Sequence, residues 1–350
     1  ENTVKGAKDA FTETLRTNTS LIRRHLRTPE LRLEESVVGR RSLTKVTVCW
    51  VEGLTDPELP ARMKKRLGEI DIDGLLSPAA VEEYVTGARK TAFPLLEFTE
   101  RTDHFCQGLL DGQVGLLVDG LPIGYLAPVS FGRLMRSPED RATDYLSASM
   151  LRSLRYLALG VSLLLPGIYA AMAMFHQQML PTKLLLSIIE SKQDVPFSTL
   201  FEVVGLLCAF ELLQQAGLHL PQAIGTAVSI IGGLVVGTAA VDAKLVSPAA
   251  LIVTASSGIC GFTLPNRELS DALRLWRLGL TVLGGVFGLF GVTAGLLLLL
   301  VRLAGLESLG RSYLAPFGEA EVKGALVRER LTEQKWRDGT LRPLDERNQR

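Results

Sequence analysis

Four long runs of this sequence contain no Asp, Glu, Lys or Arg. They cover residues 156–180, 220–241, 245–266 and 278–301. A helix rises about 1.5 Å per residue, so about 20 uncharged residues suffice to cross roughly 30 Å of hydrocarbon. Because four such runs within one short stretch are unusual for a water-soluble fold, we predict an α-helical membrane domain. Its expected spans are about 156–178, 220–241, 245–266 and 278–302.

The rest of the chain differs in composition. Of its 350 residues 21% are charged, too many for the whole chain to lie in lipid, while 47% are hydrophobic. Before residue 140 the pattern is that of an α/β region. Ser77-Pro78 is typical of a helix start, residues 44–51 (TKVTVCWV) alternate like a strand, and Asp119-Gly120 within residues 113–128 predicts a hairpin. We therefore expect an α/β region at 1–140, a transmembrane domain at 141–305 and a basic tail at 306–350.

The distribution of basic residues predicts the orientation. Several arginines, among them Arg152 and Arg155, precede the first predicted span, and basic residues beside a span are retained on the cytoplasmic side. The α/β region is thus expected in the cytoplasm, and four spans return the tail to the same side. Residues 196–217 are a possible fifth span. Glu202 and Glu211 disfavour it, because a charge at mid-bilayer costs at least about 2.5 kcal/mol. The sequence does not decide between four and five spans.

Motifs for catalysis or cofactor binding do not stand out. No Walker loop, GxSxG or strand-linked GxGxxG is present, and the four histidines are far apart. EIDIDG, residues 69–74, resembles the start of a calcium loop but lacks the later ligands. A formal net charge of +1 favours neither nucleic acid nor another polyanion as a partner, and we expect no nucleic-acid partner. We expect no catalytic, metal or cofactor site and four reduced cysteines. Since the chain opens at Glu1 without a signal pattern, we also expect it to be a fragment of a longer product.

The interiors of the spans carry two patterns. GxxxG spacings permit close helix packing within or between subunits and occur at Gly233 and Gly237, Gly284 and Gly288, and Gly291 and Gly295. The third predicted span instead holds hydroxyl side chains, which either face a narrow polar path or bond their own helix. The candidate path residues are Thr254, Ser256, Ser257 and Thr263. Pro166, His176 and Gln177 are candidate boundary or gating residues at the end of the first span, where a neighbouring helix or hydroxyl can satisfy the carbonyl that Pro166 leaves free.

Several long stretches resemble one known family. They are residues 136–197, from RSPEDRATDYLSASM to SKQDVPF, residues 220–255, from LPQAIG to PAALIVTA, and RSYLAPF at 311–317. Shorter matches such as VEGLTDPEL and GLLDGQVGLLVDG extend the likeness over nearly the whole chain. On these residues the chain resembles the A subunit of the GerA-type spore germination receptors.

The resemblance implies a multi-pass subunit of a nutrient receptor in the spore inner membrane, with its soluble region in two α/β parts. It implies a homo-oligomer, expected as a pentamer, that works with a polytopic B-type subunit that binds the germinant and a C-type lipoprotein. The implied activity is a nutrient-gated cation channel that starts ion release, with no enzymatic chemistry. A non-conducting scaffold and a secondary transporter are the alternatives, and the sequence does not identify the germinant.

Overall fold

The computed structural model describes residues 8–87, 91–219 and 237–317, and residues 327–348 apart from 329, 331, 333 and 338. The chain forms two compact units. One contains Glu1–Ser153 together with Leu303–Arg350, and the other contains Leu154–Arg302. Most of the predicted second span, with Gly233, lies outside the described residues. The predicted limits of the spans and of the tail stay predictions.

The first unit is built on a five-stranded antiparallel sheet with strand order β1-β2-β4-β5-β3. Its strands are β1 Leu31–Val38, β2 Thr44–Val51, β3 Glu97–Thr99, β4 Val114–Val118 and β5 Gly124–Ala127. The predicted strand at 44–51 is confirmed. The predicted hairpin is also confirmed, because β4 and β5 pair in register across the turn that contains Gly120, whose φ is +84°.

Helices cover both faces of this sheet. They are α1 Leu15–His25, α2 Glu58–Gly68, α3 Pro78–Thr86, α4 Thr102–Leu110 and the short α5 Phe131–Leu134. Alternate side chains of a strand point to opposite faces. Accordingly Val46 and Val48 pack with α2 and α3, whereas Cys49 and Val51 pack with α1 and α4. Ser77 caps α3 by accepting a hydrogen bond from the Ala80 N–H at 3.3 Å, as its position before Pro78 predicts.

The C-terminal segment is part of the same unit. A small ribbon, β6 Glu307–Ser308 and β7 Arg311–Ser312, is held where the Ser308 hydroxyl donates to the Leu95 carbonyl at 2.6 Å and accepts from the Val129 N–H at 2.9 Å. Tyr313 of the RSYLAPF stretch is fully buried, and its carbonyl accepts from the Phe131 N–H at 2.6 Å. Residues 303–317 therefore complete the α/β fold.

The second unit is helical. Its elements are α6 Tyr145–Met174, which starts in the first unit, α7 Thr182–Lys192, α8 Thr199–His219, α9 Pro248–Gly261 and α10 Arg267–Ala304. Among the described helices α6, α8 and α10 are long and apolar enough to cross a membrane, whereas α9 is apolar but shorter. The predicted fold class, an α/β region followed by a helical membrane region, is confirmed.

Helix α10 is interrupted at Gly288, whose φ of +65° and ψ of −152° are not helical. Residues eight apart in a straight helix are separated by about 12 Å along the axis. Here, however, a Cβ added to Gly291 would lie 2.1 Å from the Leu283 carbonyl oxygen, and one on Gly295 would lie 2.6 Å from Leu280 Cδ2. The arms 267–287 and 289–304 thus fold back on each other, where the sequence predicted one continuous span at 278–302.

Candidate functional site

A polar contact inside the helical unit follows from Pro166, which lies in the interior of α6. Proline has no N–H, so the carbonyl four residues earlier, that of Ser162, has no partner within the helix. Ser257 of α9 supplies the missing donor: its hydroxyl lies 2.7 Å from the Ser162 carbonyl oxygen. Both serines are buried. A neighbouring helix therefore satisfies the carbonyl that Pro166 leaves free.

A buried positive charge adjoins this contact. Arg277 of α10 is only 5% exposed, and its Nη1 lies 3.5 Å from the Ser257 hydroxyl oxygen. Its neighbour Arg274 forms ion pairs with Glu211 at 3.2 Å and with Asp271 at 3.1 Å. Within the described part of the chain, no carboxylate lies within 4.0 Å of Arg277. We call Ser162, Ser257 and Arg277 the polar seam.

The two carboxylates of α8 are both paired. Glu202 is buried, and one of its oxygens accepts from the N–H of Ser247 at 3.0 Å and from its hydroxyl at 2.8 Å. Lys192 lies 3.2 Å from the other oxygen. Because ionisable groups inside membrane helices are tolerated when they face the bundle interior and are paired, the charges that disfavoured a span at 196–217 find partners here. The sequence pattern could not show those partners.

The predicted path residues are not brought together as one lining. Thr254 is buried and its hydroxyl donates to the Ala250 carbonyl at 2.8 Å, while Thr263 is exposed and donates to the Cys260 carbonyl at 2.8 Å. The first bond lies within α9, and the second joins the residues just after α9 to its last turn. Ser256 is half-buried. Of these four hydroxyls, Ser257 makes the described bond to another helix, and the role of the four in a pore stays a prediction.

Several of the predicted packing glycines lie at close backbone contacts. A Cβ on Gly284 would lie 2.4 Å from the Gly167 carbonyl oxygen and 2.9 Å from Val292 Cγ2. Such distances are too short for a real side-chain carbon, so helices α6 and α10 approach closely there. Gly237 differs, because its added Cβ would meet Leu251 at an ordinary 3.6 Å. Gly291 and Gly295 adjoin the fold-back at Gly288.

Two of the three predicted boundary residues, His176 and Gln177, follow the end of α6 at Met174, whereas Pro166 lies inside that helix. His176 is half-buried beside the fold-back, since a Cβ on Gly288 would lie 2.7 Å from its Cε1, and its Nδ1 is 3.4 Å from the Ala171 carbonyl oxygen. Gln177 is exposed and donates to the Ala173 carbonyl at 2.9 Å. A gating role for Pro166, His176 or Gln177 stays a prediction.

The α/β unit contains a separate network of buried charges. Glu97 of β3 accepts from His104 at 2.7 Å and from Arg133 at 3.0 Å, and Arg133 also reaches Asp111 at 3.1 Å. Burial by itself would raise the pKa of Glu97, but the charges and hydrogen bonds of His104 and Arg133 lower that pKa to about 2. Arg141 pairs with Asp111 at 3.0 Å. The network links β3, α4 and α5, and the charges of Glu97, Arg133 and Asp111 each have a partner of opposite sign.

Comparisons with known proteins are consistent along the chain. The family model for the Bacillus/Clostridium GerA spore germination protein matches residues 1–340. An uncharacterized membrane protein, YfkQ of Bacillus subtilis (strain 168), is 38% identical over 94% of this chain and 64% of its own length. Spore germination protein XA of Bacillus anthracis is 35% identical over 100% of this chain and 72% of its own length. Spore germination protein KA of Bacillus subtilis (strain 168) is 37% identical over 93% of this chain and 60% of its own length.

The chain is also similar to a solved structure. It is the crystal structure of the N-terminal domain of the A subunit of the Bacillus megaterium spore germinant receptor GerK3. The two sequences are 38% identical, and the match covers 35% of this chain and 98% of that one with a TM-score of 0.30. The present chain thus spans less than two thirds of the length of some relatives, such as YfkQ and protein KA.

Proposed function

Because this chain belongs to the GerA family of Bacillus and Clostridium spore germination proteins, we propose that it is the A subunit of a germinant receptor in the spore inner membrane. In this proposal the chain forms a homo-oligomer, with five copies as the expected number. It works with a B-type subunit that binds the germinant and a C-type lipoprotein, and it converts occupancy of the B-type subunit into cation release through a nutrient-gated channel. It performs no enzymatic chemistry.

The construction of the helical unit is the observation that carries the proposal. Large apolar side chains lie on its outside, such as Leu157 of α6, Phe201 of α8 and Phe290 of α10, the last 75% exposed. Such surfaces fit contact with lipid or with another subunit. The polar seam lies inside. A channel needs apolar outer faces and polar groups between helices, and both are present.

The α/β unit supports a role in assembly and coupling. Residues 303–317, which follow the helical unit in sequence, belong to this unit and are held to it by the hydrogen bonds of Ser308. Both ends of the helical segment are therefore covalently joined to one folded unit. A change in the helices has two direct connections through which it can reach that unit, or be driven by it.

Reconstitution tests this proposal. The full chain is incorporated into a planar lipid bilayer with its B- and C-type partners, and potassium current is recorded while amino acids, sugars and nucleosides are added in turn. We expect current only with all three subunits and an effective nutrient. Absence of current with every addition, in a complex that supports germination in spores, would leave the non-conducting scaffold as the function. Concentrative uptake of a nutrient without channel-like current would favour the transporter.

Substitutions then connect current to the helical interior. We expect Ser257→Trp and Thr254→Trp to reduce current and germination at normal protein levels, because both side chains are buried among helices. Leu297→Trp is the matched control, since Leu297 is 62% exposed on α10. Equal effects of all three replacements would contradict the assignment of these positions to a polar path.

A further inference from the structure

A small cavity lies against the polar seam in the helical unit. Its walls include Phe210 and Gln214 of α8, Gly261 at the end of α9, and Arg277 of α10. Its volume is about 10 Å³, which is room for about one water molecule or one ion of similar size. The cavity is therefore too small for a whole nutrient molecule.

The hydrogen-bond donors around the cavity differ in whether they already have an acceptor. The hydroxyl of Ser257 already donates to the Ser162 carbonyl, and that of Ser270 donates to the Gly261 carbonyl at 3.1 Å. Arg277 has five N–H donors, and its one described hydrogen bond is the long contact of 3.5 Å to Ser257. This residue is only 5% exposed and lines the cavity, and its other guanidinium N–H groups make no further described hydrogen bond.

Electrostatics favour an anion at this place. A buried charge without a partner is strongly destabilising, and a counter-charge within contact distance offsets part of that cost. Glu211 and Asp271 are engaged with Arg274, at 3.2 and 3.1 Å. The positive charge of Arg277 is therefore left without a carboxylate within 4.0 Å in the region that the structure describes.

We propose that this cavity is a binding site for one small monovalent anion of halide size, with Arg277 as its charged ligand and the half-buried Gln214 amide as a second donor. The size of the cavity selects chloride or bromide over carboxylates such as acetate, which need room for three heavy atoms. The site would neutralise Arg277 and stabilise the packing of α6, α9 and α10 at the polar seam. It does not depend on whether the oligomer conducts cations.

Chloride-35 NMR on the purified full chain in detergent tests the site, because chloride bound to a protein broadens the line of the free ion. We expect saturable excess broadening with the wild-type chain, displaced by bromide and weakly or not at all by acetate or gluconate. Arg277→Gln should reduce the excess at least five-fold. Lys183→Gln is the control, since Lys183 is an exposed cation of α7 in the same unit.

A second variant keeps the test decisive if Arg277→Gln does not fold. A Cβ on Gly261 would lie 3.9 Å from Arg277 Nη1 and 3.1 Å from the Ser162 hydroxyl oxygen. Gly261→Ala therefore occupies the cavity while keeping the charge, and it should also lower the excess at least five-fold. Unchanged broadening in a folded Arg277→Gln or in Gly261→Ala would overturn the proposal, as would displacement of chloride by acetate as effective as that by bromide.

Discussion

Replacing Ser257 with alanine tests the polar seam directly. The change removes the one described donor to the Ser162 carbonyl, which Pro166 has already deprived of its helical partner. An unsatisfied buried acceptor costs about 1–3 kcal/mol in soluble proteins, whereas hydrogen bonds between membrane helices average about 0.6 and reach about 1.7 kcal/mol. We expect Ser257→Ala to lower the free energy of unfolding by about 1 kcal/mol.

Pro166→Ala provides the background that isolates this contact. Alanine restores the N–H, so the Ser162 carbonyl regains a partner within α6 and no longer depends on Ser257. In that background Ser257→Ala should cost only a few tenths of a kcal/mol, which gives a coupling energy of about 0.5–1 kcal/mol in a double-mutant cycle. Thr254→Val is the control. It also removes a buried hydroxyl, but Thr254 bonds within its own helix, and its cost should be the same in both backgrounds.

The assay is reversible unfolding of the full chain in mixed micelles, titrated with a denaturing detergent and followed by helical circular dichroism. All four members of the cycle are measured at equal protein concentration. Equal costs of Ser257→Ala with Pro166 and with alanine at that position would refute the reasoning, because the hydroxyl would then stabilise the protein by some route other than the freed carbonyl.

Three further results are expected. Since the pKa of Glu97 is lowered to about 2 from 4.5, its ionised form contributes about 3 kcal/mol that is present above pH 4.5 and is lost as the pH falls toward 2. Glu97→Gln should therefore weaken the acid dependence of hydrogen-exchange protection in β5, and a pH profile like that of the wild type would contradict the network. In the same detergent titration, Gly284→Ala should destabilise the helical unit by about 1–3 kcal/mol, because the added Cβ would collide with the neighbouring backbone. Gly279→Ala is the control: nothing lies within 4 Å of its added Cβ, so this change should stabilise the unit by up to about 1 kcal/mol. Ser308→Ala should lower the free energy of unfolding of the α/β unit by about 1–3 kcal/mol, measured by thermal unfolding of its sheet. An unchanged unfolding temperature would show that the two hydrogen bonds of Ser308 are dispensable.

Local chemistry made much of the fold predictable. Uncharged runs marked α6, α9 and α10 because length and hydropathy act residue by residue, whereas the charges of Glu202 and Glu211 counted against α8. Ser77-Pro78 marked a helix start because a cap needs only neighbouring residues. The requirement for a donor near Pro166 was also predictable, since the missing N–H is a local fact. Its identity as Ser257, 95 residues from Ser162, depends on how helices pack, which single-sequence patterns do not contain.

The glycine spacing illustrates the same limit. Gly284, Gly288, Gly291 and Gly295 match the pattern for close packing between helices, but the pattern is the same whether the second helix is another element or the continuation of the same chain. The positive φ of Gly288 distinguishes the two cases. The burial of Arg277 beside the Ser257 hydroxyl is likewise not visible in the sequence, because charge alone does not reveal which side chains are buried.

The connectivity of the α/β unit constrains how the chain crosses the membrane. Residues 1–153 and 303–350 belong to one compact unit, joined by bonds such as that of Ser308 with Val129, and one folded unit lies on one side of a bilayer. We therefore expect the segment between them to cross an even number of times, which disfavours five spans. Cysteine variants test this in a chain whose Cys208 and Cys260 are replaced by serine. Exposed Glu52→Cys and Glu346→Cys should react with an impermeant maleimide from the same side of sealed vesicles, and labelling from opposite sides would contradict an even number of crossings.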